Sequence, residues 1–262
     1  MNANSVFYVY NYRFSLRSFE DAKKVILAGS FNNFDEDELQ MVKDKSSNSW
    51  ILDLYLPDGM HYYKFIVDGM WITDPENSKQ SPDGRGNINS VLPLGKPHVF
   101  FLKGFEQATK VELAGNFNNW NYGEIFLDKV PGGWSSEYIL GSGTYTYKFI
   151  VDGQWMTDPD NSNTIGSGDY INSVITINPN CEFTLEGYHD ASEVLLSGTF
   201  NNWSEDGYKM TQVDGKWIFP IYLSRGKYSY KFIVDKQWII DPDNELWEEN
   251  EHGTDNSVIW MN

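Results

Sequence analysis

The sequence predicts an all-β protein built from three tandem β-sandwich modules. Short runs of Val, Ile, Phe, Tyr and Trp alternate with clusters of Gly, Pro, Asn and Asp, which is typical of strands joined by tight turns. The chain also repeats itself three times, with a period of roughly 84 residues. Such a period is too long for one turn of a solenoid, and it is sufficient for about seven short strands around their own core.

The repeat consists of short strings that keep their order and spacing. The string YKFIVD begins at Tyr63, Tyr147 and Tyr230, FNN plus an aromatic residue ends at Phe34, Trp120 and Trp203, and NSV begins at Asn89, Asn172 and Asn256. The last string sets boundaries near Gly95 and Asn178, so we expect modules at residues 1–94, 95–178 and 179–262. The joins between them are short and contain Pro, which predicts semi-rigid spacing.

The charge balance of the chain excludes several classes of partner. With 20 Lys and Arg against 37 Asp and Glu, the formal net charge is −17, which repels nucleic-acid phosphates and anionic lipids. No apolar stretch approaches the roughly 20 residues that a membrane-spanning helix needs. We therefore expect neither a nucleic-acid nor a membrane partner, and a monomer is the default expectation.

The compartment depends on whether the chain is complete. Met1 begins a polar segment without a signal-peptide core, which indicates a cytoplasmic protein if the chain is full-length. A fragment of a longer secreted or periplasmic protein would show the same features. The single cysteine, Cys181, has no internal disulfide partner, so it is interpreted as a free buried thiol and does not decide the compartment.

Within each module, alternation of apolar and polar residues predicts the strands. In the first module they are expected at 25–27, 50–56, 62–67 and 71–73, and no helix of any length is indicated. Trp50, Trp134 and Trp217 each open an alternating strand, and we interpret them as core or sheet-edge residues because most large aromatic side chains are buried.

The hairpin at 67–71 predicts which side chains share a face of the sheet. Its Asp-Gly turn specifies a type I′ connection, which pairs Val67 with Met70 and Ile66 with Trp71. Alternation then places Lys64 and Trp71 together on the outward face, while Phe65, Val67 and Ile72 face the core.

The same construction recurs in the other two modules. It joins Lys148 to Trp155 and Lys231 to Trp238 on the outward face. In the third module Lys236 replaces the turn glycine, which disfavours the positive φ of a type I′ turn, so we expect a distorted hairpin there.

The FNN strings predict exposed aromatic residues beside these Lys–Trp pairs. Paired asparagines favour Asx turns, so Trp120 and Trp203 are expected to be exposed on loops, where large aromatic groups mostly serve binding. A pyranose ring can lie with its C–H face on an indole while Lys and Asn hydrogen-bond its hydroxyl groups. One such platform is weak. Tandem modules engaging one polymer could gain roughly 10² to 10⁴ in avidity.

These strings resemble the glycogen-binding domains of carbohydrate-binding module family 48, including that of the AMP-activated protein kinase β subunit. The resemblance covers nearly the whole chain, three times, and implies an immunoglobulin-like (early-set) β-sandwich that binds α-glucans such as glycogen, starch or maltooligosaccharides. It assigns a glucan site to the Trp of GSFNNW, the Lys of YKF, the Trp of DGQW and an Asn near the module end. A leucine that some members carry four residues before this Asn is replaced by Arg85, Gly168 and His252.

Carried over to this chain, the resemblance implies three sites of unequal completeness. The second module supplies Trp120, Lys148, Trp155 and Asn172, and the third supplies Trp203, Lys231, Trp238 and Asn256. The first module supplies Lys64, Trp71 and Asn89, with Phe34 where the Trp is expected. A phenyl ring is a smaller platform, so the first site is ranked last.

An enzyme is the first alternative, and the sequence argues against it. HExxH strings and phosphate-binding Gly loops are absent, so no catalytic residue, cofactor or metal site is expected. Asp74, Asp158 and Asp241, each followed by Pro, are interpreted as turn residues. The segment 158–163 faintly resembles a calcium loop but lacks its glycine and distal Glu.

The second alternative is a structural or protein-interaction scaffold of early-set sandwiches without sugar binding. Such a scaffold would bind a protein partner or an attached catalytic domain through edge strands or the acidic surface. Convergence of Trp120 with Trp155, and of Trp203 with Trp238, beside a Lys discriminates between the sugar-binding hypothesis and this one.

Overall fold

A computed structural model describes residues 10–262 and confirms three tandem β-sandwiches. In this part of the chain the helical segments are short 3₁₀ turns, and none has the length and apolarity needed to cross a bilayer. The described chain divides into two compact units. One contains residues 10–97 with Ile139–Gly141, and the other contains His98–Tyr138 with Ser142–Asn262.

Each module contains eight or nine strands. The first has β1 (Tyr12–Leu16), β2 (Val25–Gly29), β3 (Val42–Asp44), β4 (Ser49–Leu54), β5 (Gly59–Val67), β6 (Met70–Ile72), β7 (Gln80–Pro82) and β8 (Ile88–Leu94). The second has β9 (Pro97–Lys103), β10 (Val111–Gly115), β11 (Ile125–Phe126), β12 (Asp128–Val130), β13 (Gly133–Ile139), β14 (Gly143–Val151), β15 (Gln154–Met156), β16 (Thr164–Ile165) and β17 (Asn172–Ile177). The third has β18 (Cys181–Glu186), β19 (Val194–Gly198), β20 (Tyr208–Lys209), β21 (Thr211–Val213), β22 (Lys216–Ile221), β23 (Gly226–Val234), β24 (Gln237–Ile239), β25 (Trp247–Glu249) and β26 (Asp255–Met261). The 3₁₀ turns are Ser30–Asn32, Asn116–Asn118, Gly168–Tyr170 and Thr199–Asn201.

Each module pairs a small antiparallel sheet with a large one. The small sheets have the orders β1-β4-β3, β12-β13-β9 and β18-β22-β21. The large sheets have the orders β2-β5-β8-β7, β11-β10-β14-β17-β16 and β20-β19-β23-β26-β25, with β6, β15 and β24 paired to their central strands. The predicted strands of the first module correspond to β2, β4, β5 and β6, with ends shifted by at most three residues.

The core of each module lies between its two sheets. Alternation along the YKFIV strand turns Tyr63 and Phe65 inward in the first module, where both are fully buried. Trp50, Trp134 and Trp217 are also buried, as predicted, and each indole N–H donates to a backbone carbonyl across the module. Cys181 is half-buried rather than buried, because it opens a strand at the module boundary. Burial raises the pKa of its thiol.

The Asp-Pro aspartates open turns, as predicted: Asp158 Oδ1 accepts a hydrogen bond from the Asp160 N–H at 2.9 Å. Their carboxylates also join strands of the fold, which was not predicted. In the second module Tyr147 Oη donates to Asp158 Oδ2 at 2.6 Å, and the Asp158 backbone N–H donates to Ser173 Oγ at 2.8 Å. Asn161 Nδ2 donates to Tyr147 Oη at 3.2 Å. The same network forms around Asp74 and around Asp241. In each module this aspartate therefore provides the hydrogen-bond acceptor for a buried tyrosine hydroxyl group.

The hairpin register is the predicted one in every module. Val67 pairs with Met70 and Ile66 with Trp71, and the third module keeps the same pairing. The expected distortion at Lys236 is wrong: this residue adopts φ 71° beside Asp235 at φ 45°, which preserves the type I′ turn. Pairing of the long strand β23 holds the turn in place although a lysine is strained in this conformation.

The strained turn predicts that Lys236→Gly stabilises the third module. The left-handed conformation costs a non-glycine residue about 1–2 kcal/mol. The greater freedom of glycine in the unfolded chain offsets about 0.5–1 kcal/mol of this gain. We therefore expect urea denaturation to show a gain of about 0.5–1 kcal/mol in the free energy of unfolding.

The second module offers a reciprocal control for this substitution. Gly153 has φ 86°, and a Cβ placed there meets no atom within 4 Å, so Gly153→Lys changes only the backbone preference. Gly153→Lys should lower the free energy of unfolding by a similar amount. A neutral Lys236→Gly with a destabilising Gly153→Lys would show that the third turn is relaxed around lysine.

The second and third modules pack against each other within one unit. Val174 of the second module belongs to the apolar cluster that forms the core of the third, and Ile165 packs against this cluster. Thr176 Oγ1 donates to the Pro220 carbonyl at 3.0 Å, and the Tyr222 N–H donates to Thr144 Oγ1 at 3.0 Å. These contacts hold the two modules together, and the residue boundaries at 94/95 and 178/179 stay predictions.

Candidate functional site

The candidate residues of each module lie on the outward face of its large sheet. In the second module Lys148 is on β14, and Trp155 on β15 pairs with Ile150, two residues further along the same strand. Tyr147 pairs with Ser173, so Asn172 lies beside Lys148 across the β14–β17 ladder. The predicted combination of Lys, Trp and Asn on one face is therefore present in the backbone register.

The FNN segments place the platform aromatic by a repeated, strained turn. The Gly115 N–H donates to Asn118 Oδ1 at 3.0 Å, and the Trp120 N–H donates to the Gly115 carbonyl at 2.8 Å. Trp120 and Asn119 both adopt positive φ, at 58° and 53°. Phe34 and Trp203 adopt the same conformation. A bulky residue with positive φ is costly, and its threefold repetition indicates that the position of this ring matters.

The prediction that Trp120 and Trp203 are exposed is wrong in degree. Both are half-buried, because each ring leans against its hairpin tryptophan instead of projecting into solvent. The hairpin tryptophans are the more open partners: Trp155 is 44% exposed, Trp238 is 38% exposed and Trp71 is 39% exposed.

In the second module, the four candidates converge on one cleft of about 230 Å³. The Trp120 and Trp155 ring centroids are 6.3 Å apart, with their planes inclined by 45°. Lys148 Nζ donates to the Asp169 carbonyl at 2.9 Å, and Asn172 Nδ2 donates to the Tyr170 carbonyl at 3.1 Å. The remaining ammonium protons and the amide oxygen stay available to a ligand.

In the third module, the cleft repeats this geometry and is larger, at about 800 Å³. Trp203 and Trp238 again lie 6.3 Å apart at 45°. Lys231 Nζ donates to Thr254 Oγ1 at 3.0 Å, and burial lowers the pKa of this lysine. Asn256 is buried and accepts a hydrogen bond from Asn250 at 3.0 Å.

In the first module, the same positions form a different cleft of about 640 Å³. Phe34 packs on Ile26, Ala28 and Ile66 of the sheet and forms no ring pair with Trp71 in the described residues. Lys64, Asn89 and the polar loop residues Asp83, Arg85 and Asn87 complete the lining. This module therefore offers one tryptophan face where the others offer two inclined faces.

Several cleft residues were not singled out from the sequence. Tyr170 lines the second cleft, and Glu205, Asn250 and Thr254 line the third. Tyr122 touches Trp155, with ring centroids 6.4 Å apart. Two of these positions can be located from the repeat: Tyr122 and Glu205 lie two residues after the platform Trp, and Tyr170 and Thr254 lie two residues before the site Asn. Their place in a cleft depends on the loop conformation, which the repeated strings do not determine.

The two tryptophans unique to the third module lie outside its cleft lining. Trp247 opens the edge strand β25 opposite Ser257. Trp260 lies on β26 opposite Lys227. In residues 10–262 no group of three or more His, Cys, Asp or Glu side chains is arranged to hold a metal ion.

Comparison with known proteins gives a family match along nearly the whole described chain. The family model for the glycogen recognition site of AMP-activated protein kinase matches residues 12–100, 97–184 and 180–262. The 5'-AMP-activated protein kinase subunit beta-2 of Homo sapiens is 37% identical over 81 residues, covering 31% of this chain and 28% of that subunit. The subunit beta-1 of Sus scrofa is 38% identical over 74 residues, covering 28% of this chain and 57% of that sequence. The match thus spans only part of each relative.

Proposed function

Because the chain belongs, over residues 12–262, to the family of the glycogen recognition site of AMP-activated protein kinase, we propose that it binds α-glucan chains without catalysing a reaction. Family membership supports carbohydrate binding in general. The choice of α-glucan, the residues involved and the cooperation of the modules rest on the clefts described above.

The inclined tryptophan pair is the observation that carries the proposal. Trp120 with Trp155, and Trp203 with Trp238, have the same 6.3 Å separation and 45° inclination in two independent copies. An α-1,4-glucan curves, so that successive pyranose rings turn their faces relative to one another. Two inclined indoles can stack on two rings of such a chain, whereas a flat β-1,4-glucan ribbon requires coplanar rings.

Lys148 and Lys231 supply hydrogen bonds at the rim of these platforms. Each ammonium group uses one proton on its own loop, through the Asp169 carbonyl or Thr254 Oγ1. An ammonium group has three protons, so two remain for sugar hydroxyl groups. Asn172 and Asn256 add an amide beside each lysine.

Tandem arrangement strengthens binding that is weak at each cleft. One stacked ring pair contributes roughly 0.5–1.5 kcal/mol beyond the area it buries. Packing of the second module on the third fixes the spacing of their clefts, so a polymer that reaches both gains avidity of roughly 10² to 10⁴.

An interaction scaffold is the second candidate, and one surface favours it. Strand β9 is an edge strand of its sheet, and Val99 and Phe101 on it are exposed. Edge strands with exposed apolar residues can accept a strand from a partner. A protein partner or catalytic domain could use this edge while the clefts hold sugar.

Calorimetric titration of the chain with maltoheptaose tests the proposal, with cellohexaose as the β-linked control. We expect weak exothermic binding to the α-glucan, none to the β-glucan, and retention of the chain on immobilised glycogen. The absence of heat with maltoheptaose, together with no retention on glycogen or starch, would leave the interaction scaffold as the function.

A further inference from the structure

We propose that Tyr122 and Tyr170 are additional sugar-stacking residues that extend the second cleft and give it a preference for longer α-glucans. This inference rests on the proposed function. It concerns residues that lie outside the four positions shared by the modules.

Exposure singles out these two side chains. Tyr170 is 85% exposed and Tyr122 is 69% exposed, the two highest values among the large apolar and aromatic side chains of residues 10–262. Both border the same cleft, since Tyr170 lines it and Tyr122 contacts Trp155. Surfaces keep large exposed aromatic groups in one place mostly for binding.

The arrangement of the rings suits further stacking. The Tyr122 and Trp155 planes are inclined by 78°, so the two rings are not stacked face to face and do not cover each other as a parallel pair would. Trp120, Trp155 and Tyr170 line the second cleft with Lys148 and Asn172, and Tyr122 adds a fourth aromatic ring beside Trp155.

The tyrosines are specific to the second module. The position two residues after the platform aromatic is Glu36 in the first module and Glu205 in the third. The position two residues before the site asparagine is Asn87 in the first and Thr254 in the third. The other modules thus offer carboxylate, amide or hydroxyl groups where the second offers ring faces.

The loop that carries Tyr170 is held by hydrogen bonds to Asp206 and by a close backbone approach within the loop. Ser167 Oγ donates to Asp206 Oδ2 at 2.6 Å, and the Gly166 N–H donates to the Asp206 carbonyl at 2.8 Å. A Cβ on Gly166 would lie 2.6 Å from the Tyr170 carbonyl oxygen, so this close approach requires glycine. Asp206 belongs to the third module, which thereby positions part of the second cleft. Ordering the backbone before binding lowers the entropy lost when a sugar stacks on Tyr170.

The test isolates the second cleft in the full chain. In a Trp71→Ala, Trp238→Ala background, the affinities for maltotetraose and maltoheptaose are measured by calorimetry, with and without Tyr122→Ala and Tyr170→Ala. Tyr55→Ala is the matched control, because Tyr55 is 67% exposed and lies outside all three candidate clefts. Circular dichroism verifies folding of each variant.

Each tyrosine substitution should weaken maltoheptaose binding about two- to tenfold and maltotetraose binding less, with no change for Tyr55→Ala. Equal affinity of the tyrosine variants and the background, while Trp155→Ala still abolishes binding, overturns this inference and leaves the proposed function intact. If the background itself binds no maltooligosaccharide and the wild type binds none either, the proposed function fails, and this inference fails with it.

Discussion

Replacing Trp155 and Trp238 together by alanine is expected to lower the affinity of the chain for maltoheptaose and glycogen by at least about 30-fold. Each substitution removes one wall of an inclined pair whose centroids lie 6.3 Å apart. Loss of a central aromatic contact typically costs about 2 kcal/mol or more, which corresponds to about 30-fold in affinity. On a polymer the loss is larger, because avidity between the two clefts disappears as well.

Trp247→Ala with Trp260→Ala provides the matched control. Both tryptophans are more exposed than Trp155 and Trp238, and neither lines the third cleft. The control should therefore retain the wild-type affinity, and calorimetry together with retention on glycogen compares the two double variants directly. Equal losses in both would show that binding uses the exposed tryptophans of the third module in general, and the paired clefts would no longer explain it.

The first cleft sets the residual binding of the double variant. Phe34 leaves only Trp71 as an indole face there, and the ring lies on Ile26 and Ile66 instead of pairing with the hairpin tryptophan. Residual affinity should consequently be close to that of a single weak platform. The presence of Phe34, where the other modules have a tryptophan, thus limits the contribution of the first module to glucan binding.

Local signals in the sequence account for the parts of the fold that were predicted. The Asp-Gly turn determines the pairing of Ile66 with Trp71, and alternation then carries Lys64 to the same face. Because these rules act over a few residues, they hold in the first and second modules, which both carry the Asp-Gly turn. They bring Lys148 beside Trp155 for the same reason.

Packing between distant segments accounts for the parts that were not predicted. Trp120 is half-buried because it meets Trp155, a residue 35 positions later, at 6.3 Å. Lys236 keeps a turn that its own preference opposes, since the β23–β24 register outweighs the strain of one residue. The loop of Tyr170 depends on Asp206 in another module. No local pattern contains these contacts.

Asp158→Ala is expected to lower the free energy of unfolding of the unit that contains the second module by about 2–4 kcal/mol. The Tyr147 hydroxyl group is buried, and its proton has Asp158 Oδ2 as acceptor at 2.6 Å. Without the carboxylate this donor stays unpaired, which costs about 1–3 kcal/mol, and a charge-assisted hydrogen bond worth about 1.5–3 kcal/mol is lost. These two contributions overlap, so their sum is an upper limit. Urea denaturation followed by tryptophan fluorescence measures the change.

Asp160→Ala is the matched control for this substitution, because Asp160 is exposed two residues away and uses only its backbone N–H in the network. It should change stability by less than about 0.5 kcal/mol. The comparison also separates a structural acid from a catalytic one. A catalytic carboxylate held in a cleft is strained or desolvated, so its removal leaves stability unchanged or raises it. A variant Asp158→Ala as stable as Asp160→Ala would therefore contradict the structural role of the three Asp-Pro carboxylates and reopen the question of chemistry at these positions.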